Sequence, residues 1–253
     1  MSSNSNKLED TPNNNSDSKK DKITVFGDDL GTVNIWSYGI GHFMNDMCAS
    51  TWFFYFSYYL IQIVGLDKDY ATYVVLSGQI FDGLATPLVG IFSDKTNTRF
   101  GKRTPWYFFG TLLVTITFTL IFFSALSSTA SEFEKMIYYS ICASAFNVGW
   151  ATVQVAHMAL LPLITLSKKK KDKMTRIRTG FTFIAQTLTL SLSFVYFYLV
   201  KDKIFQYQLL TGTSIGLGLI LSVIFMCFCK ENILVKNINK YYDNIKTALN
   251  KEK

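Results

Sequence analysis

The chain is as informative in what it lacks as in what it carries. It has only four cysteines, Cys48, Cys142, Cys227 and Cys229, all in or beside apolar runs. They build neither a disulfide framework nor a zinc-type spacing, and they read as small apolar packing residues. The pair at Cys227 and Cys229 is also a candidate for palmitoylation at a helix end. No cleavable signal peptide precedes the first apolar run, since residues 1–34 are polar, rich in Asn and Ser, and of mixed charge. No nucleophile triad, metal-ligand spacing or phosphate-binding glycine loop stands in a soluble context. Period-2 alternation is absent as well, which argues against a membrane β-barrel. An enzyme is therefore the least expected class, and neither a cofactor nor a metal is implied.

What remains is apolar and unevenly distributed. Of the 253 residues, 49% are hydrophobic and 16% aromatic, and the mean hydropathy is +0.20. The apolar residues fall into six long runs at 35–64, 70–92, 106–126, 136–166, 179–200 and 207–228. Each is long enough to cross a bilayer, for which about 20 residues suffice, and the first and fourth are long enough to cross with tilt. Backbone groups in hydrocarbon must pair within their own segment, so the runs are expected to be helices. The expected class is an all-α membrane protein, a six-helix transmembrane bundle over 35–228. A disordered tail at 1–34 would precede it, and a basic amphipathic tail at 229–253 would follow.

The net charge of +7 sits in loops and tails rather than on a nucleic-acid face. Lys95, Arg99, Lys102 and Arg103 follow the second run, and Lys168 to Lys171, Lys173, Arg176 and Arg178 follow the fourth. The odd-numbered loops balance Lys68, Lys135, Lys201 and Lys203 against comparable acids. Cation excess marks the cytoplasmic side, so the even loops and both termini are expected there, with the bilayer rather than nucleic acid as partner. The tail carries an apolar stripe at Leu234, Ile238, Tyr241, Ile245 and Leu249, which suits a helix lying on the membrane surface. Residues 242–245 also form a tyrosine-x-x-hydrophobe pattern of the endosomal-sorting type.

Charged and polar groups inside the spans are the candidate functional residues, because each is costly in hydrocarbon. The first run carries His42, Asn45 and Asp46; the second Gln79, Asp82 and Thr86; the fourth Asn147, Gln154 and His157. Arg178 opens the fifth, followed on the same side by Thr182 and Gln186. Helical spacing puts each set on one face, so four narrow polar stripes are expected to converge on one water-accessible cavity. The bland alternative makes Asp46 with His42, and Asp82 with Arg178, buried pairs that only fix helix register.

Residues 90–106 read GIFSDKTNTRFGKRTPW. This resembles the signature loop of the major facilitator superfamily, here Gly90, Asp94, Arg99, Gly101, Lys102 and Arg103. Asp94 is placed to accept bonds from a helix amino terminus or from Arg103. Such contacts latch one conformation and break in another. The RFGKRTPW portion is similar to the glycoside–pentoside–hexuronide:cation symporter branch. Residues 38–60, 78–90 and 147–164 more closely resemble the major facilitator superfamily domain-containing protein 12 family, the lysosomal and melanosomal cysteine importers.

The resemblance implies a secondary active solute transporter. Asp46 and Arg178 match the branch's substrate-binding aspartate and arginine, with Arg178 for a carboxylate and Asp46 for an ammonium group. Asn45, Gln154 and Trp150 join them as candidate substrate contacts, and Trp52 and Phe53 as apolar walls. His42, Asp82 and His157 are the candidates for a coupled proton, since histidine titrates near the pH of acidic organelles. The sequence departs from the branch where sugar symporters carry further acids, having Ala85, Thr86 and Gln154 there. That removes the oxygen cluster a sodium site needs.

The superfamily has twelve helices in two halves, so the chain is expected to correspond to the amino-terminal half. A second half-transporter or a homodimer would be its partner. The expected location is a lysosomal, endosomal or plasma membrane. A sugar:cation symporter and a non-transporting half, as remnant or regulatory partner, are the alternatives.

Overall fold

The computed structural model describes residues 30–123 and 129–239. The expected amino-terminal tail through residue 29, the end of the third apolar run, and the sorting pattern with most of the carboxy-terminal stripe lie outside them. Among the described residues the secondary structure is helical, apart from one isolated bridge between Thr98 and Gly101. The order is α1 (Thr32–Ile40), α2 (Phe43–Thr51), two π-helical turns (Trp52–Phe56 and Tyr59–Ile63), α3 (Lys68–Lys95), α4 (Thr104–Phe122), α5 (Glu132–Ile164), α6 (Lys168–Leu199) and α7 (Lys203–Phe228). Five of these, α3 to α7, are long and apolar enough to cross a membrane.

The first apolar run does not form one uninterrupted helix. It breaks at Gly41–His42 and then widens into the π turns, although the chain passes through it from end to end. Its helix begins at Thr32, three residues inside the segment expected to be disordered. The fifth run differs most from its expected bounds, since α6 starts at Lys168 rather than at 179. The lysine run was expected as a loop, but straight-chain residues are good helix formers and continue the helix outward. At 32 residues α6 is about 48 Å long, well beyond the ~30 Å hydrocarbon core.

The helix ends follow from side chains the sequence supplies. The Asp67 carboxylate accepts from the Asp69 N–H at 2.9 Å to cap α3. Ser131 and Glu134 form a reciprocal capping box on α5. Asp202 caps α7 through Ile204 N–H and Phe205 N–H. Pro105 sits in the first turn of α4, where its missing N–H costs nothing. The Ser131 backbone N–H and hydroxyl hold the Glu134 carboxyl below its ordinary range. The stabilisation from that box is present above the unfolded carboxylate pKa and is lost as pH falls through the lowered folded value.

The strands of connectivity place two ends. At one, the Asp67 N–H meets Glu132 at 3.1 Å and Lys135 reaches the Val64 carbonyl at 3.1 Å. At the other, Asn34 reaches the Phe228 carbonyl at 2.6 Å, and the α3–α4 loop meets Glu231. Between them runs an aromatic core in which Trp52 stacks on Phe56 at 4.2 Å and on Phe146 at 5.2 Å. Phe122 stacks on Tyr207 at 6.0 Å.

Helices α4 and α5 approach through glycine. A methyl group at Gly110 would stand 2.9 Å from the Val153 backbone nitrogen, and one at Gly149 would stand 3.0 Å from that of Val114. Neither backbone can yield independently. Gly110→Ala is therefore expected to destabilise by about 1–3 kcal/mol. Gly83→Ala, which meets nothing within 4 Å, should be neutral or stabilising. Thermal unfolding of the two variants in detergent checks the pair, and equal melting temperatures would refute the close approach.

Candidate solute site and helix-end latch

The break in the first span organises the polar interior. Ile40 ends α1, and the Gly41 N–H bonds the Tyr38 carbonyl at 3.2 Å. The carbonyls at the break also take bonds from other helices. Tyr107 of α4 donates to the Gly41 carbonyl at 2.5 Å, and His157 of α5 reaches the Tyr38 carbonyl at 2.9 Å. A side chain at Gly41 would collide with Phe225 at 2.5 Å and His157 Nε2 at 2.9 Å.

These contacts fix proton positions on both histidines. A carbonyl only accepts, so His157 carries its proton on Nε2. Its Nδ1 is then a bare acceptor, buried and without a partner, in a ring stacked on Tyr38 at 4.3 Å. His42 faces Asp46 through Nδ1 at 2.9 Å, while its Nε2 meets the Asn45 amide nitrogen at 3.3 Å. An amide nitrogen only donates, so the His42 proton sits on Nδ1, toward the carboxylate. The other Asp46 oxygen accepts from Thr182 of α6 at 2.8 Å. The two histidine rings are 5.5 Å apart. His42, Asn45, Asp46 and His157 are thus brought together, with Thr182 added from α6.

The remaining expected residues divide. Arg178 lies half-buried one turn before Thr182, with Nε unpartnered and no ion pair among the described residues. Asp82 is half-buried with Oδ1 unpartnered, and it makes no ion pair either. The register pair of Asp82 with Arg178 is not formed, whereas that of His42 with Asp46 is. Helix α3 packs chiefly on α5, and Asp82 lies apart from the histidine cluster in its hydrogen bonding, its backbone carbonyl taking the Thr86 hydroxyl at 3.0 Å. Trp150 is half-buried with its indole N–H unpartnered, and Gln154 lies one turn further along α5. Trp52 is buried in the aromatic core rather than lining an open wall, and Phe53 is exposed. Asn147 bonds back to the Ala143 carbonyl at 2.8 Å, which accounts for it structurally.

The signature loop forms a clip at one end of the bundle. Arg103 bonds Ser93 and Asp94 at the carboxy end of α3. Trp106 donates to Thr96 at 2.8 Å, and Arg99 lies over the Phe100 ring at 4.6 Å. Gly101 has φ of 113°, a left-handed conformation that favours glycine. Gly90 does not serve close packing within this bundle, since a methyl group there meets nothing within 4 Å. The 70% exposure of the Asp94 side chain leaves it open to a further contact.

Sequence reasoning missed Glu231. Its carboxylate, on a residue only 6% exposed, accepts from the backbone N–H groups of Lys102 and Arg103 at 2.8 Å each and of Thr104 at 3.2 Å. These are the unpaired donors at the start of α4, where the helix dipole also favours an anion. The basic segment around Glu231 concealed it, since a single acid among lysines reads as solvated surface. An acid just past a span, with the GKRT turn elsewhere in the chain, was the available signal.

A family model described as MFS/sugar transport protein matches residues 37–251. The chain belongs to that family. Human major facilitator superfamily domain-containing protein 12 is 37% identical over 161 residues, covering 62% of this chain and 34% of the human protein. An uncharacterized symporter of Synechocystis is 30% identical over 149 residues, covering 58% and 27%. The sodium-dependent lysophosphatidylcholine symporter 1 of Gallus gallus is 32% identical over 126 residues, covering 49% and 23%. The chain thus matches about a third or less of these relatives' lengths, and its helical bundle corresponds to the amino-terminal half of the major facilitator fold. Family membership and the apolar helices make it a multi-pass membrane protein.

Glu231→Ala strands three backbone donors and is expected to cost about 1–3 kcal/mol at this end of the bundle. Limited proteolysis should show faster cleavage between residues 96 and 103 in Glu231→Ala. A cleavage pattern identical to that of the unaltered protein would show that the cap does not hold the loop.

Proposed function

We propose that this chain forms the solute-binding half of a secondary active transporter for a small carboxylate-bearing solute, with cysteine-like amino acids as the leading class and a proton as the coupling ion. The observation that supports this most is the half-buried Arg178, a cation without an ion pair among the described residues, one turn from the Thr182–Asp46 contact. An uncompensated guanidinium in a span is costly unless an anion is delivered to it. Its planar donor fork suits a carboxylate.

In this reading Arg178 takes the solute carboxylate. Asp46 exchanges the Thr182 bond for the solute's ammonium group. His42, already presenting Nδ1–H to Asp46, takes up the coupled proton on Nε2 in place of the Asn45 bond, and the imidazolium gives that proton back from Nε2 when Asp46 turns to the solute and no longer compensates its charge. His157 keeps the broken span in register from behind, Asn45 and Trp150 complete the lining, and Gln154 bounds it on α5. Asp82 is a second proton candidate on the separate α3 face.

The Asp94–Arg103–Glu231 clip is the latch that opens and closes one end. A second six-helix half, or a second copy of this chain, supplies the opposing wall. The cation-rich ends face the cytoplasm, and a lysosomal, endosomal or plasma membrane is the expected location. The family's description also favours a sugar:cation reading, and the assay below includes that substrate class.

The test is uptake by proteoliposomes carrying the protein in its native assembly. Cysteine, other small amino acids and sugars would be offered with and without an imposed pH gradient. Saturable amino-acid uptake accelerated by the gradient is expected. Arg178→Gln should lower it by more than about thirtyfold, as for removal of one partner of a desolvated charge pair. His42→Gln should retain solute exchange but lose acceleration by the gradient. Unchanged uptake per molecule in Arg178→Gln would defeat the site assignment. Sugar uptake without amino-acid uptake would defeat the substrate class, and no uptake of either would favour a non-transporting role.

A further inference from the structure

One cavity of the bundle lies apart from the polar cluster. It is a groove of about 670 Å³ between the end of the first span and the α6–α7 turn. Phe54, Tyr55, Phe197 and Tyr207 form its walls, and Lys201 and Lys203 stand at its rim. It lies at the end of the bundle opposite the Asp94–Glu231 clip. A volume of this size falls in the range of about 300–1,000 Å³ that small-molecule sites occupy. Tyr55 donates or accepts at 2.6 Å with Ser193 of α6, joining the first span to α6 beside the groove.

The charge at its rim is in cationic excess, Lys201 and Lys203 against Asp202. Asp202, between the two lysines, accepts through Oδ1 from Ile204 N–H at 2.9 Å and Phe205 N–H at 3.3 Å, which turns that oxygen to the α7 terminus. Lys201 and Lys203 make no ion pair among the described residues, and no acid lines the groove. The aromatic walls run inward from this rim. Phe54 precedes Ile63, a lining residue at the end of the first span, by nine positions, about 13 Å of helix rise. An anion at the turn and an apolar body along the rings are what the groove accommodates. Within a bilayer, the turn between two spanning helices lies at headgroup depth and the rings at acyl depth.

We propose that this groove is a binding site for a membrane phospholipid with an anionic headgroup, its phosphate held by Lys201 and Lys203 and one acyl chain laid along Phe54, Tyr55 and Phe197. The site is separate from the Arg178 cluster and does not depend on the identity of the transported solute.

The test is native mass spectrometry of the delipidated, detergent-purified full chain titrated with phosphatidylglycerol or phosphatidylcholine. Saturable retention of phosphatidylglycerol over phosphatidylcholine is expected. The double variant Lys201→Gln/Lys203→Gln should weaken it by about tenfold or more, near the value of two surface lysine–lipid contacts. The double variant Lys168→Gln/Lys169→Gln, at the other end of the bundle, should leave it unchanged. Phe54→Gln, at a position already 53% exposed, should weaken retention without unfolding the chain. A photoactivatable acyl chain should label residues near Phe54 or Phe197. Equal retention of the two lipids, indifference to the Lys201/Lys203 change, or labelling confined to other helices would each overturn the proposal. So would displacement of the lipid by millimolar inorganic phosphate, because that result would mean a free-anion site.

Discussion

The structure depends on satisfying the backbone where the first membrane span breaks. Breaking the first apolar run at Gly41–His42 leaves the Tyr38 carbonyl with the Gly41 N–H at 3.2 Å and turns the Gly41 carbonyl toward α4, where hydrocarbon offers no water. Tyr107 supplies a donor to the Gly41 carbonyl, and His157 adds a second bond at the Tyr38 carbonyl. Those two bonds tie the first span to α4 and α5, and Phe225 of α7 closes over the glycine. The break therefore has to be covered on several sides, which leaves its remaining side, toward α6, for Asp46 and Thr182. The polar cluster is a consequence of where the span breaks as much as of which residues it contains.

The same constraint separates positioning from binding. His157 is fully buried, and its one available hydrogen is spent on a backbone carbonyl. Changing its protonation state would act on the span's geometry before it acted on a solute. His42 differs, since it bridges a carboxylate and an amide within one helix and leaves the backbone alone. One turn of α4 before Tyr107, Glu231 caps that helix while Arg103 holds the end of α3. Both contacts lie on the short turn that joins those helices, so the solute cluster and the clip share α4 as their common strut.

Much of this was legible in the sequence. The long apolar runs, the polar positions at helical spacing and the GIFSDKTNTRFGKRTPW loop all follow from composition and period. The departures have physical reasons. A broken span keeps its apolar run, so hydropathy does not register the break. Good helix formers such as the lysines at 168–171 extend a helix past the membrane that hydropathy alone would end. Pairing between helices depends on relative rotation, which a single sequence does not encode. For that reason the spacing admits Arg178 and Asp82 as a register pair, whereas the structure gives neither an ion pair among the described residues. Glu231 was hidden because its role depends on donors about 128 residues away.

The central claim is that the cluster around the broken span faces a water-reachable passage rather than sealed protein or lipid. The most direct measurement is modification of single cysteines in a cysteine-free background by a membrane-impermeant thiol reagent. Cysteine placed at Thr182 or at Gln186, on the Arg178 side of α6, should react, and substrate should protect it. Cysteine at Ile184, on the opposite side of the same helix, should remain unmodified. Equal reactivity at 182 and 184, or none at 182 and 186 while loop positions react, would contradict the account.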